Sequence, residues 1–150
     1  MAHTFHSLLY HIVFSTRDRE PYLPEKVRPR VHAYLGGLVS QLEGRAIRVG
    51  GVADHVHLLV GLPARMAVAD LVRDVKANAT SWMSAEIAGL RGFGWQTGYG
   101  VFSVSRSVAG RVERYIANQE EHHRRIGFKE EFVRLLKRHN LRWDDPHLWE

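Results

Sequence analysis

The hydrophobic periodicity of this chain switches between two residues and three to four residues in a fixed order, and that order limits the folds open to it. Residues 5–16 alternate, with His6, Leu8, Tyr10, Ile12 and Phe14 on one side and Ser7, Leu9, His11, Val13 and Ser15 on the other, as a strand does. Residues 24–43 carry Val27, Val31, Leu35, Leu38 and Leu42 at helical steps. Pro24 suits a first turn, while Pro29 demands either a kink or a start near Arg28. Residues 45–52 and 55–62 read as two strands joined at Ala53-Asp54, a hairpin. Residues 67–87 place Val68, Leu71, Val72, Val75, Ala79, Trp82 and Met83 on one helical stripe. After a glycine-rich loop over 89–98, residues 99–105 alternate again. Ser107 is the expected N-cap of a helix running to about His123, Gly127 is a stop, and 129–139 form a last short helix. The order β-α-β-β-α-β predicts an α+β, ferredoxin-like antiparallel sheet with helices on one face, followed by C-terminal helices. The second face of such a sheet has to be covered or used.

The 150 residues, 45% hydrophobic and 25% charged, suit one domain with a real core. Lysines and arginines outnumber acids by 21 to 16, a formal charge of +5, which points to a polyanionic partner. The absence of cysteine excludes disulfides, thiolate metal sites and cysteine nucleophiles. No apolar run reaches the roughly 18 residues of a membrane span, and the first residues lack the pattern of a secretory leader, so a soluble intracellular protein is expected. No Walker-type loop is present, so no nucleotide cofactor is expected.

His55-Val56-His57 lies on a predicted strand, so both imidazoles share one face with Cα atoms about 6.6 Å apart. That spacing lets both rings reach one metal ion while Val56, Leu58 and Val60 enter the core. Two histidines on a polar sheet face give the same pattern, and two ligands leave a site incomplete. Asp54 is either a turn residue or the carboxylate that orients the His55 ring. Tyr115 and Gln119 are one helical turn apart, so the amide can supply an oxygen ligand beside the phenol; a core tyrosine and a solvated glutamine fit the spacing equally. A phenol of pKa near 10 is a weak nucleophile unless its substrate is polarised, as a metal-bound phosphodiester is. Arg73 and Lys76 lie on the long helix, Arg106, Arg111 and Arg114 flank Tyr115, and Arg124-Arg125 end that helix. These are candidate phosphate contacts or an ordinary solvated face. Phe93, Trp95 and Tyr99 either stack on unpaired bases or plug a core edge. Adjacent His122 and His123 diverge by about 100° on a helix, a poor chelate, and are expected at the surface or on phosphates.

Taken together, these segments resemble the IS200/IS605-type single-tyrosine HUH transposases. Tyr10-His11-Ile12-Val13-Phe14-Ser15-Thr16 resembles the family's first strand, and Asp54-His55-Val56-His57-Leu58-Leu59-Val60 its HUH strand. Residues 95–105 resemble the segment before the catalytic helix, and Tyr115-Ile116-Ala117-Asn118-Gln119 the tyrosine motif. The tail resembles that of the REP-associated tyrosine transposases. The resemblance implies one domain over 1–150, with a catalytic core over about 5–125 and an extension over about 126–150. It implies an enzyme that nicks and rejoins single-stranded DNA through a 5′-phosphotyrosine at Tyr115 and recognises hairpin ends. His55, His57 and Gln119 would hold one Mg²⁺ or Mn²⁺. A homodimer in the bacterial cytoplasm, on the nucleoid when DNA-bound, is implied as well. The competing reading is a non-catalytic nucleic-acid-binding ferredoxin-like module, against which the strands lack the aromatic-rich stacking pattern of such modules.

Overall fold

The computed structural model describes residues 3–150. Four strands, β1 (Leu9–Ser15), β2 (Arg45–Val52), β3 (His55–Gly61) and β4 (Gly100–Val104), form one sheet in the order β2-β3-β1-β4, with every neighbouring pair antiparallel. Helices α1 (Arg28–Gln41) and α2 (Val68–Glu86) follow β1 and β3. After β4 come a 3₁₀ turn over Arg106–Val108, then α3 (Ala109–Ala117), the single-turn α4 (Gln119–His122) and α5 (Phe128–Arg138). This is the α+β, ferredoxin-like sheet that the periodicity predicts.

The two central strands are buried on both faces, and each face has its own cover. Ile12, Phe14, Val56, Leu58 and Val60 meet Val31, Leu35 and Val39 of α1 and Leu71, Val72, Val75 and Met83 of α2 in the main core. On the opposite face, Leu9, Leu59 and Val104 pack with Ala109 and Ile116, and Val13 and Phe102 pack with Phe128, Phe132, Leu135 and Leu136 of α5. The C-terminal segment is therefore the second layer. Its end is tied down where the carbonyl of Glu150 accepts from the Gly98 N–H and from Gln96 Nε2, both at 3.1 Å.

The structure corrects some local expectations and decides between the alternatives open at others. β1 begins at Leu9, leaving Phe5 95% exposed. The second element starts at Arg28 with Pro29 in its first turn, because proline lacks the N–H that position does not use. Ser107 does not cap α3, whose N-cap Val108 makes no side-chain bond; Ser105 caps the 3₁₀ turn before it, its Oγ accepting from the Ser107 N–H at 3.4 Å. The helix expected to reach His123 is interrupted at Asn118, whose ψ of 22° leaves the helical range. Phe93 and Trp95 are core plugs rather than a stacking platform, with Trp95 edge-on to Phe14 at 4.9 Å. Among the described residues no helix is long and apolar enough to cross a membrane.

α3 approaches β2 through Gly50, where a Cβ would sit 2.5 Å from the Ile116 carbonyl oxygen; a Cβ on Gly37, within α1, would meet nothing within 4 Å. Gly50→Ala is expected to cost about 1–3 kcal/mol by forcing α3 off the sheet. Gly37→Ala is expected to gain about 0.5–1 kcal/mol. Urea unfolding of the two variants checks the opposite signs.

Candidate active site

The alternation of β3 sends His55 and His57 to the face that α5 covers, and both rings are fully buried. Each ring is held from behind. His55 Nδ1 lies 2.7 Å from Asp54 Oδ1, the orienting role open to that turn residue. His57 Nδ1 shares a 2.8 Å hydrogen bond with His11 Nε2. The register that sets Val13 opposite His57 puts His11 diagonally beside it. Both Nε2 atoms therefore point inward, toward one carboxylate: Glu131 Oε1 is 3.1 Å from His55 Nε2 and 3.0 Å from His57 Nε2.

Tyr115 and Gln119 converge on the same carboxylate from the α3–α4 corner. The Tyr115 hydroxyl donates to Glu131 Oε2, and Gln119 Nε2 donates to the same oxygen at 3.0 Å. Gln119 Oε1 lies 3.1 Å from His55 Nε2. Gln119 is buried, so the solvated alternative for it is excluded. All four residues expected to converge therefore meet within one chain.

His123 and Glu131 complete the cluster; Glu131 is not among the candidates the sequence offers, and His123 is there only as half of a poor chelate. The expectation that His122 and His123 stay at the surface is corrected for His123: its Nε2 is 2.9 Å from Gln119 Oε1 and 3.1 Å from Glu131 Oε1. The pair that matters is Gln119 and His123 at i, i+4, not the two adjacent histidines. His123 Nδ1 is anchored on the Ile126 carbonyl at 2.9 Å. His122 remains half-buried, its Nε2 3.3 Å from Glu131 Oε2. Glu131 belongs to an acidic first turn that reads as solvated. Its signal is positional: it stands three residues after Phe128 and four before Leu135, on the apolar stripe of α5.

The donor chemistry fits a metal ion. Ligand atoms of His55, His57, His123 and Glu131 all lie within 4.8 Å of one another, and the carboxylate is 1% exposed. Three imidazoles with a carboxylate suit a divalent transition ion such as Mn²⁺ better than Mg²⁺, which prefers oxygen.

Burial and charge act differently on each group. Burial opposes the charged form of His55, but the hydrogen bonds and charges of Asp54 and Glu131 outweigh it and raise its pKa to about 9. Burial dominates at His57 and lowers it to about 4. Burial, then the repulsion that a second proton on the His11–His57 pair would meet, holds His11 well below its usual value. Burial works against the Glu131 carboxylate, yet bonds from His123, His55 and His57 hold it well below the usual range. Tyr115 is pushed well above an ordinary phenol by burial, then by the charge and hydrogen bond of Glu131, so it rests as a neutral donor.

The basic residues divide. Arg106, Arg111 and Arg114 are exposed around the start of α3, and Arg124 and Arg125 follow α4, with Arg124 paired to Glu121 at 2.9 Å. Arg73 and Lys76 lie on α2, across the sheet from Tyr115. Arg73 pairs with Asp70 at 3.3 Å and Asp74 at 3.0 Å. Lys76 donates to the carbonyls of Gln96, Thr97 and Gly98 at 2.7–3.3 Å, and burial lowers its pKa to about 8.

A family model described as "Transposase IS200 like" matches residues 4–119. The transposase for insertion sequence element IS200 of Salmonella typhimurium is 28% identical over 127 residues, covering 81% of this chain and 82% of that protein. The ISDra2 transposase TnpA of Deinococcus radiodurans is 24% identical over 121 residues, covering 77% and 86%. Among solved structures, a Deinococcus radiodurans protein described as a transposase superposes with a TM-score of 0.66 at 24% identity, over 79% of this chain and 95% of that one. A REP-associated tyrosine transposase bound to a REP hairpin gives 0.59 at 12% identity, over 82% and 74%. The family match stops short of His123 and Glu131.

The opposite shifts of His55 and His57 set a pH dependence. His55, raised from 6.5 to about 9, stabilises the fold fully below pH 6.5 and loses that contribution as pH climbs through 9. His57, lowered to about 4, stays neutral in the fold while the unfolded chain takes up a proton, so stability also fades as pH falls from 6.5 toward 4. The loss of the His55 contribution is expected to cost metal-free protein on the order of 2 kcal/mol between pH 6.5 and about pH 8, while His11 and His32, both lowered by burial, add to the acid limb. His55→Gln should abolish that alkaline loss. Thermal unfolding in chelator across this range checks both limbs.

Proposed function

This chain belongs to the IS200-like transposase family, and on that premise we propose that it nicks and rejoins single-stranded DNA through Tyr115. The observation that carries the reading is the meeting of the Tyr115 hydroxyl with His55, His57 and Gln119 around Glu131 within one chain. A non-catalytic DNA-binding module has no use for a buried carboxylate joined to three imidazoles, an amide and a phenol.

In the proposed reaction, Tyr115 Oη attacks the scissile phosphorus. The Oη–P bond forms, the P–O3′ bond breaks, and the 5′ phosphate remains on the tyrosine. The phenolic proton leaves to water and the departing 3′ oxygen takes one up from water, so the step is proton-neutral, while Glu131 Oε2 accepts the hydroxyl's hydrogen bond and orients Oη beforehand. Attack by a 3′-hydroxyl on the phosphotyrosine reverses the sequence and returns the proton to Oη. One phosphodiester is exchanged for another, so no nucleotide is consumed.

His55, His57, His123 and Glu131, with Gln119 beside them, would hold one divalent ion, Mn²⁺ in preference to Mg²⁺. When bound, the ion supplies polarisation of the scissile phosphate and stabilisation of its developing charge. Asp54 and His11 keep the two strand imidazoles aimed. Hairpin DNA as the substrate is supported by the hairpin held by the structurally similar REP-associated protein. Arg106, Arg111, Arg114, Arg124 and Arg125 are the proposed backbone contacts near the site, with Arg73 and Lys76 more distant candidates. The expected homodimer would join two sites that are each already complete. The cytoplasm of a bacterium is the proposed setting.

Incubation with single-stranded hairpin DNA and Mn²⁺ should yield a denaturant-resistant protein–DNA adduct. Tyr115→Phe should abolish it while leaving DNA affinity within about twofold, and His57→Ala should abolish nicking; an adduct persisting in Tyr115→Phe refutes the nucleophile. Mixing the two variants should restore nothing, because both groups must come from one chain. Glu131→Ala should weaken Mn²⁺ binding at least tenfold by calorimetry.

A further inference from the structure

A cavity of about 360 Å³ has Tyr115 in its wall but none of His55, His57, His123 or Glu131. Its walls come from β1, β4, α3 and α5, chiefly His11, Phe102, Val108, Val112, Tyr115 and Leu135. Arg111 and Arg138 stand at its edge, both exposed, and neither is paired with a carboxylate among the described residues. The His139 ring stacks on Phe102 at 4.4 Å and 25°. Neither the transesterification nor the ion cluster uses this space.

We propose that this cavity is a subsite for one unpaired nucleobase beside the scissile phosphate, with Arg111 and Arg138 binding the adjoining backbone phosphate. The proposal rests on the reading of the chain as a Tyr115-dependent DNA-nicking enzyme. Position carries it first. Tyr115 is at once a wall of the cavity and the donor to Glu131, so a base seated here belongs to a nucleotide next to the one under attack. Composition comes second. An apolar interior with aromatic rings suits the π-face that every base carries, and such stacking is sequence-tolerant. Charge comes third. Two guanidiniums without an acid partner complement a phosphate, which arginine binds through paired N–H donors. The volume admits a single small ligand and not a duplex.

Seating a base here also touches the other half of the site. His11 lines the cavity and holds His57 through their 2.8 Å hydrogen bond. An occupied cavity fixes the His11 ring, and through it an ion ligand. The subsite thus positions the strand and stiffens the ring that faces the proposed ion.

The test uses the full chain with Mn²⁺ and single-stranded hairpin DNA carrying 2-aminopurine at each position flanking the cleavage point in turn. For one flanking position, the fluorescence should change at least twofold on binding to wild-type protein. An abasic site at the same position should slow adduct formation about tenfold. Val112→Phe fills the cavity; it should remove the fluorescence change, slow the adduct about tenfold and be insensitive to the abasic site. Mn²⁺ affinity should be unchanged. Val108→Phe is the second filler should the first fail to fold, and Arg111→Ala with Arg138→Ala should weaken DNA binding and lessen its salt dependence. A wild-type adduct formed at equal rates with filled-cavity protein, or 2-aminopurine unperturbed at every flanking position, overturns the subsite. Absence of any adduct with the wild-type chain instead overturns the reading it rests on.

Discussion

One buried carboxylate organises this molecule. Glu131 is 1% exposed, and a charge so placed costs several kcal/mol unless it is paired and hydrogen-bonded. Here three imidazoles, an amide and a phenol supply the partners. Removing a carboxylate of this kind leaves inward-facing ring nitrogens without partners, a loss of about 3–5 kcal/mol in comparable buried pairs. The contact also ties four stretches of chain together: β3, the α3–α4 corner, the turn after it, and α5. Tyr115 is held at the centre of a network rather than free on a helix surface.

The sheet explains why such a network is needed. β3 is buried on both faces, yet every second residue of its first half is a histidine. A buried polar face must find hydrogen-bond partners, and a simple apolar layer would leave four ring nitrogens unsatisfied. Asp54 and His11 take the rear nitrogens, and Glu131 takes the front ones. α5 fills the rest of that face with Phe128, Phe132, Leu135 and Leu136. The C-terminal segment therefore does two jobs with one helix: its apolar stripe closes the second core, and one acid on that stripe satisfies the histidines.

The break at Asn118 has a similar logic. A continuous helix would keep Gln119 and His123 on the rail that carries Tyr115, running on past the sheet. On the far side of the interruption Gln119 and His123, four residues apart, both reach the buried cluster. Close approach of α3 to Gly50 sets how deep that corner sits.

Much of this was readable in the residues. The alternation of β1, β3 and β4 and the apolar stripe of α2 specify the order of elements, because side-chain period depends only on local backbone geometry. The same local rule puts His55 and His57 on one face, and the order of four motifs singled out Tyr115 and Gln119. The break at Asn118 and the cap at Ser105 were not readable, and Phe93 and Trp95 stayed open between stacking and core, since each depends on what packs alongside. Glu131 and His123 show the boundary most clearly. An acid beside another acid in a first helical turn looks solvated, and a histidine next to a histidine looks like a poor chelate. The His57 partner of Glu131 lies 74 residues away on β3, and only folding brings groups that distant to 3.0 Å. Sequence alone settled which elements form and which strand residues face together; the tertiary structure alone decided which charge would be buried among them, because burial is a property of the assembled layers and not of any one segment.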